Sequence, residues 1–398
     1  MNGGIKYWNR RLSGGTPSGR IHCVLAMALF CAVGAVAQDG YWIKSSGGSW
    51  ASTANWDSAD GMAAGADSTA YFGFAREAVI SPSATFTFDG AQTIGNLCFT
   101  TQGGPANWNF GGGSSGSLTL NSTFEAPQIT ITSPTLQVTL KAVVAGGAGL
   151  EKDGAGTLVL AANNTYTGLT LVNSGGLNVT GTLGTGGVDV THATLSGSGV
   201  INGPVVVGSG GILSLGNTSG ALTINSSLVL QPGSTTSVAL GASSGTQAAV
   251  LGLSSVTYGG TLVVSNLAGA LSLGQSFSIF GSAPATGNFS SIQPPPGPWL
   301  RWSFNPATGQ ISVVSSAAQP VFSSVNVSGD NLVLNLTSGP PGSPCYIMTT
   351  TNLGLPKASW TRIATNSFDV SGNCNLTNNL SATGSGHLYV AAFVVPSP

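Results

Sequence analysis

The stretch Gly146–Thr180 reads G-G-A-G-L-E-K-D-G-A-G-T-L-V-L-A-A-N-N-T-Y-T-G-L-T-L-V-N-S-G-G-L-N-V-T. Its apolar residues come in pairs two apart: Leu158 and Leu160, Leu169 and Leu171, Leu177 and Val179. That spacing puts each pair on one side of a strand. Gly, Asn, Ser and Thr separate the pairs, and Gly and Asn reach positive φ cheaply, so each strand ends in a sharp corner. Runs this short cannot hold a core alone; they must stack on further copies of themselves.

A period confirms the stacking further along. Leu177, Leu195 and Leu213 are 18 apart, and so are Val188, Val206 and Ile224. Three short strands plus corners fill one such turn. The expected architecture is therefore all-β: a right-handed parallel β-helix, each coil ~4.8 Å above the last. A sandwich is the rival reading, but Asn-Gly hairpin signals are scarce, Asn202-Gly203 being the clear exception. After Ser226 the strands lie farther apart and the register is expected to blur.

The opening stretch also resembles the autotransporter-associated β-strand repeat of bacterial surface passengers. The matching pieces are Gly149-Leu150-x-Lys152-x-Gly154-x-Gly156-Thr157-Leu158-x-Leu160, then Asn163-x-Thr165-Tyr166-Thr167-Gly168-x-Thr170, then Val172-Asn173-x-Gly175-x-Leu177-x-Val179. The resemblance implies a surface or secreted β-solenoid and names an architecture rather than an activity. Gly287-x-Phe289, Leu300-x-Trp302 and Gly309-x-Ile311-x-Val313 resemble the ending of such repeat modules.

The chain of 398 residues is only 6% charged against 41% apolar, with 59 glycines. Disorder couples low hydrophobicity to high charge, so an ordered, weakly charged β body is expected. Residues 1–37 read as a signal peptide: Lys6, Arg10, Arg11 and Arg20, an apolar run Val24 to Val36, and a small-residue site Ala35-Val36-Ala37. Thirteen apolar residues fall short of the ~20 that span a bilayer, so no membrane span is expected in the mature chain. Removing those four basic residues leaves seven basic against twelve acidic, a formal charge of −5. Nucleic acid is no natural partner for that balance.

Residues 38–145 are expected to form an N-terminal cap and the first coils, and residues 146–316 the repeat body. Residues 317–320 would be a linker. The segment 321–398 is read as a small antiparallel β-sandwich-like module with strands at Val321–Val327, Asn331–Leu336, Cys345–Thr350, Trp360–Ala364, Phe368–Asn375 and His387–Phe393. Tyr346-Ile347-x-x-Thr350-Thr351-Asn352-Leu353, Trp360-x-x-Ile363-Ala364-Thr365-Asn366 and Phe368-x-x-x-Gly372 resemble a C-terminal module of secreted Verrucomicrobia-type proteins. Six strands leave no room for a membrane barrel, which needs at least eight of ~9–11 residues.

Chemistry is sparse. From Gly154 to Ser316 the candidate ionisable groups are Asp189, His192 and Arg301, and Asp189 and His192 fall on opposite faces of a strand. His387 has no nearby partner in sequence. Glu151-Lys152-Asp153 reads as a surface turn with a local ion pair. Asp57, Asp60 and Asp67 lack calcium-loop spacing and read as turn residues. No metal or cofactor is expected. Trp42, Trp50 and Trp56 are read first as a cover for the open end of the solenoid and second as glycan-contact residues. Cys98 reads as a buried thiol, and Cys345 with Cys374 is the candidate disulfide pair in an exported module. The function expected is a non-catalytic structural or adhesive surface protein whose partners are surface polysaccharides or other extracellular proteins. A glycan-binding or lyase-like carbohydrate-active protein is the alternative.

Overall fold

Along the body the alternating runs form strands, each lying beside its counterpart one coil away. The computed structural model describes residues 37–393 apart from 58, 75–78, 102, 112–115, 217–219, 241–248, 268, 298–299, 317–319, 340, 353, 356–358 and 381–387. The signal segment, most of the linker and His387 thus lie outside the described residues. Among these residues the structure is all strand and turn save one 3-10 turn, Thr53–Asn55.

Two long sheets form the body. One runs from Gly40–Trp42 to Ala285–Gly287 and the other from Gly47–Ser49 to Ser291–Gln293, through thirteen and eleven strands, with every ladder in them parallel. A third, shorter sheet joins Thr182–Leu183, Val200–Ile201, Leu222–Ile224 and Val250–Leu251. A chain that visits the same sheets in turn, always in parallel register, is a β-solenoid.

Inside the second sheet one column reads Trp108, Val138, Leu158, Leu177, Leu195, Leu213, Thr236, Leu262 and Ile292, each paired with the next. Its leucines are fully buried, and each contributes about 1.5–3 kcal/mol relative to exposure. The first of the two 18-residue series is therefore a true column. The second is not: Val188 pairs with Val205, Val206 faces outward between Asp189 and Val229, and Ile224 lies in the third sheet beside Ile201. That coil is one residue shorter, so equal spacing joined positions from different strands.

The expected blurring after Ser226 is also corrected. Val205, Leu228, Val256 and Ala285 remain in register, and the added residues go into the corners. Beyond them Ser276–Ser278, Gln310–Ser315 and Leu300–Asn305 form an antiparallel sheet. Phe280, Phe289 and Phe304 surround Tyr258 there and join the body's core.

The C-terminal residues form two antiparallel sheets. One contains Val321–Ser328, Asn331–Thr337 and Cys374–Asn379; the other Thr361–Ser367, Pro344–Thr350 and Leu388–Phe393. The fifth strand begins at Cys374 rather than at Phe368. Asp369 Oδ1 accepts the backbone N–H groups of Ser371 and Asn373, each at 2.8 Å, and turns the chain before the strand starts. Leu332, Leu334, Leu336, Cys345, Phe368, Cys374 and Leu376 form a separate small core.

Candidate functional site

The tryptophans come first, because they carried the glycan-contact expectation. Trp42, Trp50 and Trp56 are 2%, 1% and 1% exposed. Trp42 meets Trp56 edge-on at 5.2 Å, and Trp56 meets Trp50 at 4.9 Å. Phe72, Phe86 and Phe88 complete the cluster. Each indole N–H donates to a backbone carbonyl: Trp42 to Lys44 at 2.7 Å, Trp50 to Ala63 at 3.2 Å and Trp56 to Trp50 at 2.8 Å. Rings so enclosed cannot stack on a sugar, and the glycan-contact reading of these three residues is corrected. The physical reason is filling: the first coils hold aromatic rings where later coils hold leucine and valine.

Outward aromatic residues do exist, and strand alternation locates them. Tyr41 lies between buried Gly40 and Trp42, and Tyr71 between buried Ala70 and Phe72. Both therefore point away from the core. Their rings stack at 4.4 Å and 11°, face against face across adjacent coils. One face of each ring is thus taken by the other.

The outward face of the second sheet is hydroxyl-rich and bears no charge in the repeat body. One column contains Thr157, Gly176, Thr194, Ile212, Thr235, Thr261 and Ser291; the next contains Val159, Asn178, Ser196, Ser214, Ser237, Val263 and Gln293. Neighbouring hydroxyls bond along the axis, as in Thr261 with Ser291 and, on the first sheet, Thr257 with Thr286, both at 3.1 Å. Near the C-terminal end of the body a groove of about 470 Å³ is bordered by Asn288, Ile292, Pro295, Arg301 and Phe304.

The ionisable groups are dispersed. Asp189 faces outward with Leu171 and Val206 as lateral neighbours, while His192 is exposed in the bend beyond. Asp57 Oδ1 accepts from the Ala59 N–H in its own turn. Asp67, at φ +65°, binds Thr123 through both carboxylate oxygens at 2.6 and 2.7 Å. Asp57 thus plays the turn role expected of it, whereas the turn reading of Asp67 is corrected: it lies in the strand Gly65–Phe72 and ties that strand to the segment at Thr123.

The surface-turn reading of Glu151-Lys152-Asp153 is overturned. Leu150–Asp153 is a strand, and Lys152 occupies an inward column between Ile129 and Val172, fully buried. Its ammonium donates to three backbone carbonyls: Asp153 at 2.9 Å, Gly154 at 2.9 Å and Ser174 at 3.1 Å. Burial pulls its pKa down to about 8, with Asp153 acting the other way. Glu151 faces outward and accepts from Gln128 at 3.3 Å and from Asn173. This lysine joins adjacent coils. The sequence signal was its phase: Leu150 and Lys152 share a face, and Leu150 is apolar.

In the C-terminal sheets Cys345 and Cys374 are 0% and 3% exposed, and both carry free thiols. The thiols are hydrogen-bonded to each other, and burial pushes Cys345 up to about 12 and Cys374 in the same direction. Cys98 is buried in the strand Ala91–Phe99 of the solenoid.

Comparison with known proteins agrees with this architecture. Residues 150–179 match the family model of the passenger-associated-transport-repeat. Over 93 residues, 23% of this chain, the sequence is 36% identical to an adhesin, the BmaC autotransporter of Brucella suis biovar 1 (strain 1330). That stretch is 3% of the adhesin's own length. The chain therefore carries a repeat of the autotransporter-passenger type, placed where Lys152 is held between coils.

Proposed function

We propose that this repeat-bearing chain is a secreted or cell-surface β-solenoid that works by presenting its faces rather than by catalysis, and that its role is adhesive or structural. The observation that carries the reading is the second sheet's outward face: two in-register columns of mainly Ser, Thr and Asn along the repeat body. Such a face offers many weak, identical hydrogen bonds at the strand spacing of ~4.8 Å. An extended partner that engages several coils gains from their number, as multivalent contacts do. The similarity to an adhesin supports the same reading.

Catalysis finds little support in the residues. A general acid and base must both be positioned at a substrate. Asp189 and His192 sit on a strand and in a bend of the body, and Arg301 borders a groove at its far end. The partners we propose are extracellular proteins or surface polysaccharides, engaged through hydroxyl and amide groups rather than through the buried tryptophans.

The test is binding of the purified full chain to panels of extracellular proteins and polysaccharides, at low salt and at ~1 M salt. With so few charges on the faces, binding should survive high salt, where the screening length falls to ~3 Å. Binding that collapses with salt would point to a different surface. Release of cleaved saccharide during the assay would overturn the non-catalytic reading.

A further inference from the structure

We propose that Cys345 and Cys374 form an oxidation site, closing a disulfide between the two sheets of the C-terminal module when the chain meets a disulfide-bearing oxidant. The exported setting proposed above enters only in saying where that oxidant is met. The pairing rests on geometry.

Cys345 lies in the middle strand of its sheet, flanked by Asn366 on one side and Phe393 on the other. Cys374 opens an outer strand of the other sheet, beside Leu336. No backbone ladder joins the two sheets among the described residues. The two thiols nonetheless touch within one small core. The third described thiol, Cys98, lies in the strand Ala91–Phe99 of the solenoid, outside this core. Both cysteines belong to the core of this module, and small exported modules are commonly stapled by disulfides.

The chemistry balances as two exchanges. A thiolate of one cysteine attacks a sulfur of the oxidant's disulfide, forming a mixed disulfide and releasing one oxidant thiolate. The second cysteine's thiolate then attacks the first cysteine's sulfur, and the second oxidant sulfur leaves as thiolate. The two cysteines lose two electrons, the oxidant's disulfide gains them, and the two protons pass to the departing thiolates. Only the thiolate attacks, and burial holds both groups as thiols in the closed module. Oxidation therefore belongs to the stage before the sheets close.

The test exploits the sparse basic residues. Trypsin cuts after Arg301, Lys357 and Arg362, so Cys345 and Cys374 leave on separate peptides, Trp302–Lys357 and Ile363–Pro398. The full chain is taken from the producing cell's envelope or medium, alkylated with iodoacetamide in denaturant, digested and weighed. A linked pair lighter than the two free peptides by two hydrogens is expected, with Cys98 alkylated. The same digest follows refolding in a reduced/oxidised glutathione buffer. A link formed on refolding but absent from cells would uphold the pairing and sink the export reading. Both cysteines alkylated in both samples would overturn the pairing. As a second readout, dithiothreitol should lower the melting temperature of the oxidised chain by several degrees and leave a Cys345→Ala/Cys374→Ala chain unmoved; equal responses would also count against the disulfide.

Discussion

Lys152 shows how a single side chain can tie two coils together. Its ammonium supplies a proton to each of three carbonyls, one of them on Ser174 in the following coil. Lys152→Met keeps the volume and removes all three donors. Partly enclosed carbonyls without donors cost about 1–3 kcal/mol each, less where water reaches them, so a loss of about 2–4 kcal/mol in unfolding free energy is expected. The lysine also predicts a pH dependence. Its folded pKa of about 8 lies below the 10.5 of an unperturbed lysine. Between those values the unfolded chain holds a proton that the folded chain has released, so this group's contribution rises as pH climbs through the window. The buried Tyr166 and Tyr258, raised by burial, act in the opposite sense near pH 10. The informative quantity is thus the difference between wild type and Lys152→Met. Urea unfolding at pH 7 and pH 10 should show that difference growing in favour of the wild type, by up to ~1.4 kcal/mol for each tenfold fall in proton concentration inside the window. Parallel profiles would mean that the ammonium is not held as described.

At the scale of the strand and its corner, glycine governs how closely coils can stack. Gly154 has φ +78°, and a Cβ there would lie 2.2 Å from the Ile131 carbonyl oxygen of the coil before. Gly175 repeats the arrangement one coil on, against the Gly154 and Gly156 carbonyls at 2.4 Å. Gly154→Ala meets both a disfavoured φ and a backbone atom that cannot swing aside, and should cost at least about 2 kcal/mol. Gly147, in the turn before, has no atom within 4 Å of an added Cβ, so Gly147→Ala should stay within about 0.5 kcal/mol. Thermal melts of the two variants check the contrast. The same elements explain what was legible in advance. Leu177, Leu195 and Leu213 announced a column because identical residues in equal-length coils keep the period. Val188, Val206 and Ile224 misled because corners vary in length while spacing alone carries no strand identity. The buried tryptophans were visible as a cluster, but whether aromatic rings fill a coil or cover its outside depends on alternation, which Tyr41 and Tyr71 obey in the opposite phase. Lys152 escaped because a charged residue in a turn-rich motif reads as exposed unless its carbonyl partners are known.

For the whole molecule, stacking means that each coil contacts only its neighbours, so stability is close to a sum of coils and interfaces. That permits a deletion few folds would survive. Removing Gly176–Ala193 joins Gly175 to Thr194, the residue that pairs with Gly176 in the next coil. The Thr157 row then meets the Thr194 row, the Thr170 row meets the Val205 row, and Val200 replaces Thr182 in the third sheet. Asn164, which donates to the Thr182 carbonyl at 3.2 Å, would find the Val200 carbonyl in its place. Every inward column keeps its phase, and one strand spacing of ~4.8 Å disappears from the axis. We expect a folded chain with unchanged β-type far-UV signal and a stability lower by on the order of 2–4 kcal/mol, since one coil and one interface are lost. Removing Gly176–Gly184 instead takes strands from the second and third sheets but leaves Val188–Val190 in the first. The strands can then no longer meet their partners, and cooperative unfolding should vanish. Circular dichroism and urea titration of both deletions separate the outcomes: if the in-register deletion unfolds as badly as the shorter one, the coils do not act as interchangeable units. Were the in-register variant also to keep its binding, weakened in step with the shortened hydroxyl columns, adhesion would follow the number of coils rather than any one of them.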